Sequence, residues 1–210
     1  EHACATSCGA ERELPWLPAR FNEAIQTLDF TVPSDRDVIS ELYKLTYDAV
    51  IANARELAWN GIGWSFAVVE LAPILCDAAR TLRHLDLSYN KFAGAEGVCA
   101  SSLHGSFPRA MIERVARADA IADALRAIAP CAGTLVFLNL GANQFRGRLT
   151  AELGLFTKLE TLHLYENPLE GAIPAEVCAL TNMRKLILYQ CNLEGASRPS
   201  GERERRGARG

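Results

Sequence analysis

The chain has 210 residues, 49% hydrophobic and 22% charged, which excludes a disordered or fibrous protein and supplies enough length for one sizeable core. A formal net charge of -3 gives no general attraction to polyanions, so nucleic acid is not an expected partner. No apolar run approaches the roughly 20 residues of a membrane span, so no membrane contact is expected within these residues.

In chain order, residues 1–24 read as a poorly ordered segment, residues 25–195 as the patterned body and residues 196–210 as a disordered tail. Cys4 and Cys8 with His2 could form half a metal site or a small disulfide; with a fourth ligand missing, a frayed terminus is the simpler reading. "AIQTLDF" (24–30) reads as a strand. "SDRDVISELYKLTYDAVIANA" after it reads as a helix, with Ser34 as N-cap, Asp37 at the capping-box position and Val38, Leu42, Leu45 and Ala49 on one face. The two would cap the body at its N-terminal end. "SFAVVELAPILCDAA" (65–79), "GAEGVCASSL" (94–103) and "ADAIADALRAIA" (118–129) carry apolar residues at three-and-four spacing and read as helices, with Pro73 bending the first. "FPRAMIERV" (107–115) fits either a strand or the start of one long helix over 108–129, and the spacing of the segments around it favours the strand. The tail has five Arg, two Glu and no apolar residue larger than Ala. Glu1 in place of Met, and the lack of a cap after residue 193, read as a fragment.

One frame recurs along this body. "LVFLNLGANQF" at 135 returns as "LETLHLYENPL" at 159 and "MRKLILYQCNL" at 183, 24 residues apart each time, and "LRHLDLSYNKF" at 82 and "ARELAWNGIGW" at 54 share the frame. In L-x-L, Leu162 and Leu164 fall on one face of a short strand, with His163 and Tyr165 on the other. Strands repeating in one direction at this interval pair in parallel, with the intervening chain as crossover. Asn90, Asn143 and Asn167 end the strands, where an inward amide can satisfy backbone groups freed as the chain turns; Cys191 takes that place in the last copy. In "LEGAIPAEVCAL" (169–180), Gly171 permits a turn, Pro174 fixes the return and Ala175 to Leu180 give one helical turn. The 53 residues between 82 and 135 are too many for one such unit, which points to an additional strand at 107–115.

The L-x-x-L-x-L-x-x-N-x-L lettering resembles the leucine-rich repeat family. L-x-G-x-I-P is similar to its plant-type subclass, and the helix-rich N-terminal half to its ribonuclease-inhibitor-like subclass. The resemblance implies an α/β fold: a right-handed solenoid of five or six repeats, with a parallel concave sheet and helices or short turns on the convex side. It also implies protein or peptide recognition, with receptor-like proteins and receptor kinases among the family's users. A ligand-binding or regulatory fragment of a larger receptor-like kinase or other enzyme is the alternative.

In that frame the concave face carries Arg55, Glu56, Ala58 and Asn60, then His84, Asp86, Ser88 and Tyr89, then Thr161, His163, Tyr165 and Glu166, then Lys185, Ile187, Tyr189 and Gln190. The ligand-binding set expected from these is His84, Asp86, Tyr89, His163, Tyr165, Glu166, Tyr189 and Gln190, with Tyr165 and Tyr189 an outward aromatic pair of little core contact. His84 and Ser88 stand roughly 13 Å apart on one strand, too far for proton transfer, so they form no triad with Asp86. His163 and Glu166 lack further ligands for a metal, no cofactor motif occurs and no catalysis is expected. Of seven cysteines, five (76, 99, 131, 178 and 191) lie in apolar segments and read as buried. The absence of glycosylation sequons leans towards a cytoplasmic, reducing compartment over an extracellular one.

Overall fold

A computed structural model describes residues 14–28, 30, 32–64, 68–92 and 120–194 of the chain. The expectations for Cys4 and Cys8, for 94–103 and 107–115, for Cys99 and for 196–210 fall outside these residues.

The L-x-L stretches form a five-stranded parallel sheet of β1 (Glu56–Ala58), β2 (His84–Asp86), β3 (Phe137–Asn139), β5 (Thr161–His163) and β7 (Lys185–Ile187), in that order. Alternation sorts the side chains as expected: Leu85, Leu87, Leu138, Leu140, Leu162 and Leu164 are all 0% exposed. In the last repeat Leu186 and Leu188 are only half-buried, packed against the core from one side. The register is constant, with Glu56, His84, Phe137, Thr161 and Lys185 in one row across the sheet.

That register corrects one expectation. β2 pairs directly with β1 on one side and β3 on the other, so both its edges are taken and no strand from 107–115 can enter between β2 and β3.

A second parallel sheet, β4 (Gly147–Arg148), β6 (Leu169–Ala172) and β8 (Asn192–Glu194), runs beside the first and was not expected. Gly171 therefore lies within a strand instead of a turn, at φ 71°. The Arg148 side chain of the neighbouring strand lies across it, and a Cβ there would come to 3.3 Å of Arg148 Cδ. Past Pro174, the single 3₁₀ turn Ala175–Ala179 forms as expected.

Helices back the N-terminal strands. Of the segment at 65–79, the described part divides into a 3₁₀ turn, Val68–Leu71, and a helix α3, Ala72–Ala78; Pro73 sits in the first turn of α3, where no intrahelical donor is needed, and so bends nothing. The helix expected at 118–129 is α4 (Ala120–Ile128), with Ile121, Leu125 and Ile128 fully buried behind the sheet.

The cap departs most from expectation. "AIQTLDF" is no strand: its first residues belong to helix α1 (Pro18–Gln26), which also occupies the end of the segment expected to be poorly ordered. Proline at the first position starts this helix. Helix α2 (Asp35–Tyr47) forms where expected, but Ser34 makes no side-chain cap bond. Its inward face holds Tyr43, stacked on Phe21 at 3.8 Å, and Tyr47. Val38, Leu42 and Leu45 face out, at 64%, 62% and 57% exposure. The tyrosines win the core because each hydroxyl finds an acceptor, Tyr43 on the Trp16 carbonyl at 2.7 Å and Tyr47 on Asp77 at 2.9 Å, while the rings bury large apolar area.

Cys131 is buried, as expected, and burial pushes its thiol up to about 12. Cys76 and Cys178 are exposed, against expectation, because they fall on the outer faces of α3 and of the 3₁₀ turn; Cys191 is half-buried.

Candidate functional site

The concave surface is built from the turns that end its strands. After each L-x-L the backbone passes through the left-handed region, at Gly61 (φ 63°), Tyr89 (55°), Ala142 (51°), Glu166 (53°) and Gln190 (55°). Four side-chain-bearing residues in this region carry a steric cost that local hydrogen bonds must offset. The inward asparagine supplies them. Asn167 donates to the carbonyls of Leu164 and Tyr165 in its own turn and of Leu140 in the preceding repeat, at 2.9 to 3.1 Å, and accepts from the Phe145 amide at 3.1 Å. Asn143 and Asn90 repeat the arrangement; Asn90 accepts three amides, from Ile62, Gly63 and Trp64. Cys191 donates to the Leu164 carbonyl at 3.2 Å. Tyr89, Glu166 and Gln190 are thus held in one row at the end of the sheet.

Beside that row lies a continuous band of six rings. His84 meets Phe137 edge-on at 5.9 Å, Phe137 meets His163 at 5.4 Å and His163 lies 6.1 Å from Tyr165. Tyr165 and Tyr189 stack at 5.0 Å and 10°, and Tyr89 meets Tyr165 edge-on at 6.2 Å. Parallel register brings side chains on adjacent strands within contact, and offset or edge-on rings attract.

Tyr165 stacks on Tyr189 outside the hydrophobic core, as expected, but it is covered on the concave side: it is 8% exposed, whereas Tyr89 and Tyr189 are 58% and 53% exposed. Gly141, at the equivalent place on the adjacent strand, is the reason. A Cβ at Gly141 would stand 2.4 Å from the Tyr165 ring, so the missing side chain is the space the ring occupies. Burial first, and then hydrogen bonding to Tyr89, pushes the Tyr165 hydroxyl up to about 12; the Asn139 side chain also bonds it.

Ser88 is buried, against its expected place on the surface, and its hydroxyl donates to Asp86 at 2.6 Å, so it is directed at the carboxylate and not at His84. His163 keeps a buried Nε2 with no hydrogen-bond partner, and burial, then Lys185, holds its pKa below the ordinary histidine value against the opposing pull of Asp86. Glu166 and Gln190 line a shallow depression of about 510 Å³ with Asn167, Pro168 and Asn192. Among the described residues no three His, Cys, Asp or Glu side chains converge, and no helix is long and apolar enough to cross a membrane. Phe137 and Asn139 were left out of the expected surface, although the frame at 135 places them outward as surely as it does His84 and Asp86.

The Leucine Rich Repeat family model matches residues 81–106 and 158–180. The chain carries leucine-rich repeats. The leucine-rich-repeat solenoid is similar to solved plant proteins at low identity. The BIR2 ectodomain from Arabidopsis thaliana shares 23% identity over 59% of this chain and 49% of that one, with a TM-score of 0.40. The BIR3–SERK2 complex from the same plant shares 22% over 66% and 57%, with a TM-score of 0.45. The Arabidopsis receptor kinase HAESA, in complex with the peptide hormone IDA and the co-receptor SERK1, shares 21% over 69% and 23%, with a TM-score of 0.40. The matched region is therefore less than two thirds of each of these chains. No curated protein matches the sequence.

Proposed function

We propose that the concave face of this solenoid is a recognition surface for a protein or peptide, without catalysis of its own. The observation that carries this is the aromatic band, which ends in two half-exposed tyrosines held on a rigid sheet. Tyr89 and Tyr189 offer large, stiff contact area at small entropic cost, as binding anchors do. Tyr165 and His163 lie beneath or between them as support, and His84, Asp86, Glu166 and Gln190 supply polar contacts around them.

A peptide library displayed on phage and selected against the whole chain tests this reading. Enriched peptides should lose affinity by about tenfold or more on the Tyr89→Ala/Tyr189→Ala variant. They should bind normally to Leu155→Ser/Ile173→Ser, which alters two exposed apolar residues away from the sheet. The reverse pattern would move the site to the convex side.

A further inference from the structure

The outward face of α2 is unlike the rest of the surface. At 100° per residue, Arg36, Ser40, Tyr43 and Tyr47 fall within an arc of about 60° that α1 and the core cover. Val38, Leu42 and Leu45 fall within a second arc of about 60° on the opposite side. That side is more than half exposed at all three positions. The spacing 38, 42, 45 is four and three, the seam of a helix that packs along another helix. Glu41 and the C-cap Asp48 flank the seam on one side with Asp37 beyond them, against Lys44, while Arg36 belongs to the covered arc.

We propose that this face docks an amphipathic α-helix of a partner protein, one with its own three-and-four apolar seam and basic residues beside it. The seam spacing specifies a helix, and the acidic flank specifies the charge. A second copy of this chain would bring the same carboxylates to the interface, and an anionic lipid surface would meet repulsion. The surface lies on the cap, so it is separate from the concave face.

The probe is a synthetic helical peptide with Leu at three-and-four spacing and Lys beside the seam, measured by fluorescence anisotropy against the whole chain. It should bind, and raising the salt should weaken it. A peptide with Glu in place of Lys, and a scrambled peptide of the basic composition, should each bind about tenfold more weakly or worse. Leu42→Ser/Leu45→Ser should abolish binding without lowering the melting temperature. Absence of binding, equal binding of the acidic or scrambled peptide, or indifference to the double substitution overturns the proposal. Two further results would assign the face elsewhere: a dimer in sedimentation that the double substitution dissolves, or flotation with anionic vesicles that it abolishes.

Discussion

Helices α2 and α4 are both amphipathic by spacing, and they use their apolar faces in opposite ways. α4 buries Ile121, Leu125 and Ile128 behind the sheet, and α2 leaves Val38, Leu42 and Leu45 in solvent. The difference lies in what else each helix offers. α4 has a small, Ala-rich body with one face worth burying, so the period decides its orientation. α2 has two, and the face with Tyr43 and Tyr47 packs because the structure provides the Trp16 carbonyl and Asp77 as acceptors for their hydroxyls. A hydrophobic period therefore states which residues share a face, not which face meets the core.

The largest expected effect breaks that comparison directly. Leu125→Ala in α4 removes a fully buried side chain and should cost about 2–5 kcal/mol in urea unfolding, by lost burial and the cavity left behind. Leu45→Ala in α2 should stay within about 0.5 kcal/mol of the parent protein. A large loss from Leu45→Ala would show that the exposed face is covered within the chain itself.

The repeats were legible because each letter has one physical job that recurs at a fixed interval. Leucines inward, an asparagine at the turn and the parallel register all follow from L-x-x-L-x-L-x-x-N. What stayed hidden depends on neighbours that no single repeat contains. Tyr165 lies down because Gly141 is empty one strand away, and Gly171 stands in a second sheet where the Arg148 side chain of the next strand leaves little room for a Cβ. Ser88 differs, since its partner Asp86 lies in its own repeat and accepts its hydroxyl on the concave side. The choice between five and six repeats stayed open in the sequence because length alone cannot distinguish an extra strand from one long connection; the direct pairing of β2 with β3 leaves five strands in the sheet.

The turns give the same comparison in hydrogen bonds. Asn167 serves three carbonyls and one amide in a nearly solvent-free site, so Asn167→Ala should cost about 1–3 kcal/mol by leaving them unpaired. Cys191 at the last turn makes weak thiol bonds to the Leu164 carbonyl at 3.2 Å and the Tyr189 carbonyl at 3.9 Å in a half-open site, so Cys191→Ala should cost less than about 1 kcal/mol. Equal costs would mean that the ladder stabilises through packing instead of hydrogen bonding.

Gly141→Ala asks whether an empty position on one strand holds a ring on the next. The new methyl would overlap the far end of the Tyr165 side chain, which can swing away, so the cost should be near the low end of overpacking, about 1 kcal/mol. The sharper readout is ionisation. Burial holds the Tyr165 hydroxyl above the ordinary tyrosine value in the parent protein, so in Gly141→Ala its step in an ultraviolet titration should move down towards that value. An unchanged titration would show that Tyr165 is buried by Tyr89 and Tyr189 alone.

The smallest effect concerns His163, which sits between the aromatic band and the polar part of the concave face. Its Nε2 is buried without a partner, so protonation would place an unpaired N–H and a charge beside Lys185. The folded chain therefore holds the imidazole neutral to lower pH than the unfolded chain does. Between the two pKa values the unfolded state binds the extra proton, so stability is full above the ordinary histidine value and falls as the pH drops through the depressed one. The ring is only part-buried and Asp86 opposes the shift, so the change in melting temperature on going from pH 7.5 to 5 should be small, about 2 °C or less. In His163→Gln this component of the acid-side slope should vanish, while other carboxylates and histidines contribute equally to both proteins. A variant whose slope matched that of the parent would show that His163 exposes its nitrogen to water on protonation, and that the band is loose at its centre.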